Sequence, residues 1–202
     1  MSNKIKKGRP KTFNIEQANK IAMETYWVEG MANVSLNRMC RNIGESKPSV
    51  YREYGGEAGL QFAALELYYK EKVEILKDYL LKEGNFIKNI ELTFDYLINK
   101  HYKNQTGSSC MFNKESLFPA KNLAQECKKF IIKKDKEAIS TLTLAMKKAI
   151  DSGELNINVN LEVYSAYILN QIKLISALSN NKLPKSVLIG MVNLILEPLK
   201  NN

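Results

Sequence analysis

The chain has 202 residues, a formal charge of +9, 45% hydrophobic residues and 25% charged ones. That is ordinary globular composition for one large or two small domains, and it excludes a fibrous or wholly disordered chain. Ten glycines and five prolines are few for a turn-rich all-β fold and favour helices.

Charge is unevenly placed. The first eleven residues carry Lys4, Lys6, Lys7, Arg9 and Lys11 with no acid, and this arm reads as flexible and basic. Residues 12–55 are neutral overall, and the rest of the chain is basic through lysine alone. All four arginines lie at or before Arg52. Arginine is the better bidentate donor to phosphate and guanine, so a nucleic-acid site is expected near the N-terminus. Cys40, Cys110 and Cys127 are an odd set without a CxxC, and no apolar leader is visible. The expectation is a soluble, reduced, cytoplasmic protein with no membrane partner.

Helical periodicity starts at Ile15, with Asn14 as cap and Ala18, Ala22 and Tyr26 on one face, and Gly30 ends it. Ser35 caps a second helix carrying Leu36, Met39, Cys40 and Ile43, stopped by Gly44. Ser46 caps a third, with Pro48 in its first turn and Val50 and Tyr54 inward, and Gly55-Gly56 ends it. Two short helices after an amphipathic one, joined by a Gly-containing turn, form the helix-turn-helix pattern. A long helix follows from Glu57 to Glu83, another from Phe86 to Tyr102, a short piece after the Cys110-Met111-Phe112 patch, and a long one within Lys121–Ser152.

The last two helices, Leu161–Leu178 and Leu183–Leu199, are apolar nearly all round, which requires burial on all sides. The predicted remedy is a two-fold four-helix bundle with a second copy. Its expected seam is Tyr164, Ile168, Ile172, Ile175, Val187, Met191, Leu194 and Ile195.

Residues Gly8-Arg9-Pro10-Lys11, Ala18 to Gly30, Val34 to Met39, Gly44, Ser46 to Tyr54 and Leu60 together resemble the TetR family of transcriptional regulators. The resemblance covers about the first sixty residues. The Gly-Arg-Pro arm and the Cys110-Met111-Phe112 patch are similar to the AcuR-type subgroup. The resemblance implies an all-α fold of about nine helices and a homodimer on double-stranded operator DNA, released by a small-molecule inducer. It divides the chain into a basic arm at 1–13, a helix-turn-helix domain at 14–56, and a ligand-binding and dimerisation domain at 57–202.

By position, the resemblance assigns DNA contacts to Ser35, Asn37, Arg38, Lys47, Ser49, Tyr51 and Arg52 in the head. The capping residue Ser46 is a further candidate beside them, and the charge of the arm adds Lys7 and Arg9, with Arg9 expected in the minor groove. Lys47 is the candidate guanine reader. Glu57 stands where the family usually has a lysine, which forfeits one phosphate contact. The long helix from Glu57 links both domains and is the expected lever for induction.

Candidate inducer contacts are Phe94, His101, Cys110, Phe112, Tyr167 and Gln171. An alternative is a regulator whose sensor is a reactive Cys110 thiol, and another is a helical interaction module that binds no DNA. Lys128, Lys129, Lys133, Lys134 and Lys136 read as a solvated face. An enzyme is disfavoured. His101 is the single histidine, and no phosphate-binding glycine loop, zinc motif or paired metal spacing occurs. No metal or cofactor is expected.

Overall fold

In the computed structural model, helix ends fall where side chains can cap them. The structure describes residues 13–82, 84–103, 109–157, 159–178 and 183–200, with side chains except at 100–103. Helix α1 spans Ile15–Glu29, and Asn14 Oδ1 accepts from the Gln17 N–H at 3.0 Å. Helix α2 is Leu36–Ile43 and α3 is Lys47–Tyr54. Ser35 Oγ accepts from the Arg38 N–H at 3.4 Å, and Ser46 Oγ from the Ser49 N–H at 3.3 Å. Gly44 closes α2 at φ 76°, a left-handed conformation that satisfies the last carbonyls.

The predicted helix from Glu57 to Glu83 is interrupted. It runs as α4 (Glu57–Tyr68), a π-helical turn (Tyr69–Val73) and α5 (Ile75–Leu80). The extra residue in a π turn shifts the register of everything after it. The remaining helices are α6 (Phe86–Lys103), α7 (Met111–Leu117), α8 (Gln125–Asp151), α9 (Leu161–Leu178) and α10 (Lys185–Lys200). Taking α4 to α5 as one bent rod, the described residues form nine rods and no strand. The all-α expectation holds.

Two cores fill the molecule. The first joins Ala22, Tyr26, Met39 and Val50 of the head to Leu60 and Leu65 of α4, Met111 and Phe112 of α7, and Cys127 and Ile131 of α8. The second gathers α6, the rear of α8, α9 and α10 around Phe94, Leu142, Ile168 and Leu196. The cores do not divide at residue 56, because α4 and the front of α8 close the head's own interior.

One close approach sets the angle between α3 and α4. A Cβ on Gly59 would lie 1.8 Å from the Tyr54 carbonyl oxygen. Only glycine lets the two backbones come this near. No helix among the described residues is long and apolar enough to cross a membrane.

Candidate nucleic-acid interface and effector cavity

The head presents α3 outward on a fixed base. Val50 is fully buried beneath it, and the Tyr54 hydroxyl donates to Asn19 Oδ1 of α1 at 2.7 Å. Burial pushes that hydroxyl up to about 12, with Glu53 adding to the effect. Phe13 packs edge-on against the Tyr54 ring at 5.9 Å. These contacts leave Lys47, Tyr51 and Arg52 exposed along one short helix. Among the described residues, neither Lys47 nor Arg52 is ion-paired. The Tyr51 ring lies over Gly56, where a Cβ would sit 3.3 Å from it, so the turn after α3 helps hold that ring.

Other expected DNA contacts are already engaged. Arg38 is bonded to Glu29 at 2.7 Å, so it reaches a phosphate only by sharing or leaving that partner. Ser35 and Ser46 cap their helices, and Ser46 Oγ and Ser49 Oγ are 3.0 Å apart. Asn37 is exposed on α2, and so is Arg41, which the sequence reading passed over. Lys7 and Arg9 lie outside the described residues. Glu57 sits in the first turn of α4, where a carboxylate favours the positive end of the helix dipole. It is also one of the groups that, after burial, push the Tyr26 hydroxyl upward.

The seam between the two cores holds a cavity of about 60 Å³. Tyr69 and Val73 of the π turn, Leu76 and Leu80 of α5, Phe112 and Asn113 of α7, and residues of α8 and α9 line it. Larger depressions elsewhere are open to solvent. Lys173 of α9 is 5% exposed and enters this wall. Its Nζ donates to Asp135 Oδ2 at 2.6 Å and to Ser116 Oγ at 2.9 Å, and Ser116 donates to the same carboxylate at 2.9 Å.

The expected inducer contacts are spread over several parts of the fold. Of the described candidates, Phe112 lines it. Phe94 is packed into the second core, because α6 turns that face inward. Tyr167 is 41% exposed on the outer side of α9, and Gln171 is part-buried without reaching the cavity. Cys110 precedes α7, half-buried beside the Tyr68 hydroxyl. The side chain of His101 lies outside the described residues. Lys134 is not a freely solvated lysine: it lies 5.1 Å over the Tyr69 ring and lines the cavity.

The sequence reading missed Lys173, Asp135, Ser116 and Tyr69. Lys173 carried a signal, being the lone charged residue of α9 after its first turn. Cys40 and Cys127 are buried, and burial pushes the Cys127 thiol up to about 12. Among the described residues no His, Cys, Asp or Glu cluster is placed to hold a metal.

The residues of the expected seam fall into an inner and an outer group. Ile168, Ile172, Ile175 and Ile195 point into the chain's own core, and the Tyr164 hydroxyl donates to the Ile195 carbonyl at 3.2 Å. Their helix faces are taken by α6 and α8, which the periodicity alone did not reveal. The exposed apolar stripe of α9 is instead Val163, Tyr167 and Leu174. On α10, the seam candidates Val187 and Leu194 are exposed, beside a half-buried Met191 and an uncrowded Gly190.

No protein-family model matches the chain. It is 34% identical over 65 residues to the HTH-type transcriptional repressor ComR of Escherichia coli (strain K12), and the match spans about a third of each protein, 32% of this chain and 31% of ComR. A TetR-family regulator, CifR, in a cysteine-substituted form bound to 26-base-pair operator DNA, superposes at a TM-score of 0.78. That match has 19% identity and covers 94% of this chain and 98% of CifR. The reduced form of NemR from E. coli superposes at 0.76 with 15% identity, covering 93% of this chain and 98% of NemR. Over nearly its whole length, the chain has the fold of TetR-family regulators.

Proposed function

We propose that the chain is a member of the TetR family: a homodimeric, DNA-binding repressor, and not an enzyme, released from its operator by a small molecule. The observation that carries this reading is the outward face of α3. Lys47, Tyr51 and Arg52 stand exposed on a helix anchored from behind by Val50 and by the Tyr54–Asn19 bond. That is how a recognition helix enters a major groove. Lys47 reads a base, while Ser35, Asn37, Tyr51 and Arg52 hold phosphates. Ser46 and Ser49 set the first turn of the helix. Lys7 and Arg9 of the arm add long-range attraction and a minor-groove contact. Operator binding by CifR, whose fold is shared, supports the reading.

The outward stripes of α9 and α10, with Val163, Tyr167, Leu174, Val187 and Leu194, are the face offered to a second copy. Two heads are then set for half-sites separated by roughly 34–36 Å.

The inducer reading rests on the connections of α7. Trp27 Nε1 of α1 donates to the Ser109 carbonyl at 2.9 Å, just before α7, and Asn122 Nδ2 donates to the Met31 carbonyl at 3.3 Å, just after it. Between these points α7 forms one cavity wall. Filling the cavity moves α7 against the head, so α7 joins the bent α4–α5 rod as a route to the recognition helices.

Fluorescence anisotropy with genomic fragments tests the proposal. A sequence-preferring complex whose affinity falls steeply with salt is expected. Binding to no DNA fragment refutes it and leaves a helical interaction module.

A further inference from the structure

This inference deepens the reading of the cavity as an effector site and rests on it for that location alone. We infer that the cavity takes a carboxylic acid with a small apolar body, its carboxylate held by Lys173.

The charge distribution carries the argument. Three lysines line the cavity, Lys77, Lys134 and Lys173, against one carboxylate, Asp135. Lys134 has its own partner in Glu137 at 2.9 Å. Lys77 is 3.9 Å from Glu74. Lys77 and Lys134 are thus balanced by carboxylates outside the cavity wall, and the selective group is the buried Lys173. A cationic ligand would have to compete with Lys173 for Asp135, whereas an anionic one can share Lys173 with it.

Lys173 has capacity to spare. An ammonium carries three N–H donors, and Ser116 and Asp135 account for two of them. A ligand carboxylate can take the third, or displace Asp135. That aspartate side chain keeps 24% of its surface in water, against 6% for Lys173. It can therefore turn outward and be solvated, while Lys173 cannot and requires an acceptor within. A charge-assisted bond in this low-dielectric wall is stronger than one at the surface. The rest of the wall supplies the apolar contact, through Val73, Leu76, Leu80, Phe112, Ala138 and Ile172.

Size sets the class further. Ligand pockets commonly measure about 300–1,000 Å³, and this one holds about 60 Å³. A bulky amphiphile does not fit, whereas a short acid enters with modest movement of the leucine side chains. Ser116 lies on α7, so a carboxylate that takes over its place on Lys173 loosens α7 at the point nearest the cavity.

Titration of the full-length protein without DNA tests this, following heat and the fluorescence of Trp27. The probes are sodium hexanoate, 1-hexanol and hexylammonium chloride. Hexanoate is expected to bind about tenfold more tightly than hexanol, and hexylammonium more weakly than both. Lys173→Met is expected to cost hexanoate about tenfold and to leave hexanol nearly unchanged. Asp135→Asn keeps the lysine, removes its competing carboxylate, and is expected to tighten hexanoate.

Equal affinity for the three probes, preference for the amine, or binding of none of them overturns the inference. So does a hexanoate affinity indifferent to both substitutions. A separate gel shift with added hexanoate distinguishes the two readings. If hexanoate binds through Lys173 but leaves the DNA complex intact, the acid site stands and the effector role fails. If the protein binds no DNA, the titrations still decide the acid site.

Discussion

At the residue scale, the head shows how one side chain can serve two demands. Ser35 and Ser46 cap helices and face outward, so Ser→Ala at either costs about 1 kcal/mol of stability even without DNA. Among the described residues, neither Lys47 nor Arg52 has an ion pair to lose. Lys47→Ala should leave thermal stability unchanged and flatten the difference in affinity between operator and random DNA. A loss that is equal on both DNAs would make Lys47 a phosphate contact. Glu57→Lys should tighten binding and steepen the salt dependence of log K by roughly 0.9, the increment for one more phosphate. Measured affinities from low to moderate salt check it.

Glu115 makes a pH prediction. It is 3% exposed, and burial pushes its carboxyl upward, opposed by the Ala120 N–H bond at 2.8 Å and by Lys114. A carboxyl raised in the folded state holds its proton more tightly there than in the unfolded chain. Its contribution is therefore most favourable below the ordinary carboxylate range, and it is lost as pH rises from that range through the raised value. Glu115→Gln keeps an acceptor for Ala120 and removes the charge. Its urea midpoint should exceed that of the parent chain at neutral pH, with the gap closing on acidification.

At the element scale, two junctions decide how the head sits. The α3–α4 junction depends on Gly59, whose added Cβ would strike backbone that has nowhere to go. Gly59→Ala should cost about 1–3 kcal/mol, by analogy with overpacked cores. Denaturant unfolding checks it, and circular dichroism should show helix content retained. The α1–α7 junction depends on Trp27. Its indole N–H holds the Ser109 carbonyl, and its ring meets Tyr68 edge-on at 5.4 Å. Trp27→Phe keeps the ring contact and drops the bond. On the coupling proposed for α7, this variant should bind DNA and respond less to an effector. An unchanged response would assign the signal to the α4–α5 rod.

At the scale of the whole molecule, the chain leaves large apolar side chains uncovered on its last two helices. Leu194 is 69% exposed and Val163 is 66% exposed. On the proposal above, a second copy covers this face. Leu194→Glu should shift the protein to a monomer in analytical ultracentrifugation, with little change in secondary structure. Its DNA affinity should drop toward that of a single head. By contrast, Ile168→Glu should unfold the chain, because Ile168 is fully buried in the second core. The contrast separates an outer face from an inner one on the same helix.

Local chemistry wrote much of the fold into the sequence. Asn14, Ser35 and Ser46 begin helices and Gly30, Gly44 and Gly55 end them, because caps and left-handed glycines act within a few residues of chain. The outward set on α3 was legible for the same reason: Val50 falls inward at helical spacing and fixes which side chains face out. The π turn at Tyr69–Val73 was not legible, since no proline or glycine marks it. Nor was the facing of α9, where both sides are apolar and only packing against α6 and α8 chooses the inner one. The cavity, with Lys173, Asp135 and Ser116 brought together from three helices, is a product of tertiary structure. Residues that far apart in the chain meet only once both cores have formed, and no local pattern encodes their meeting.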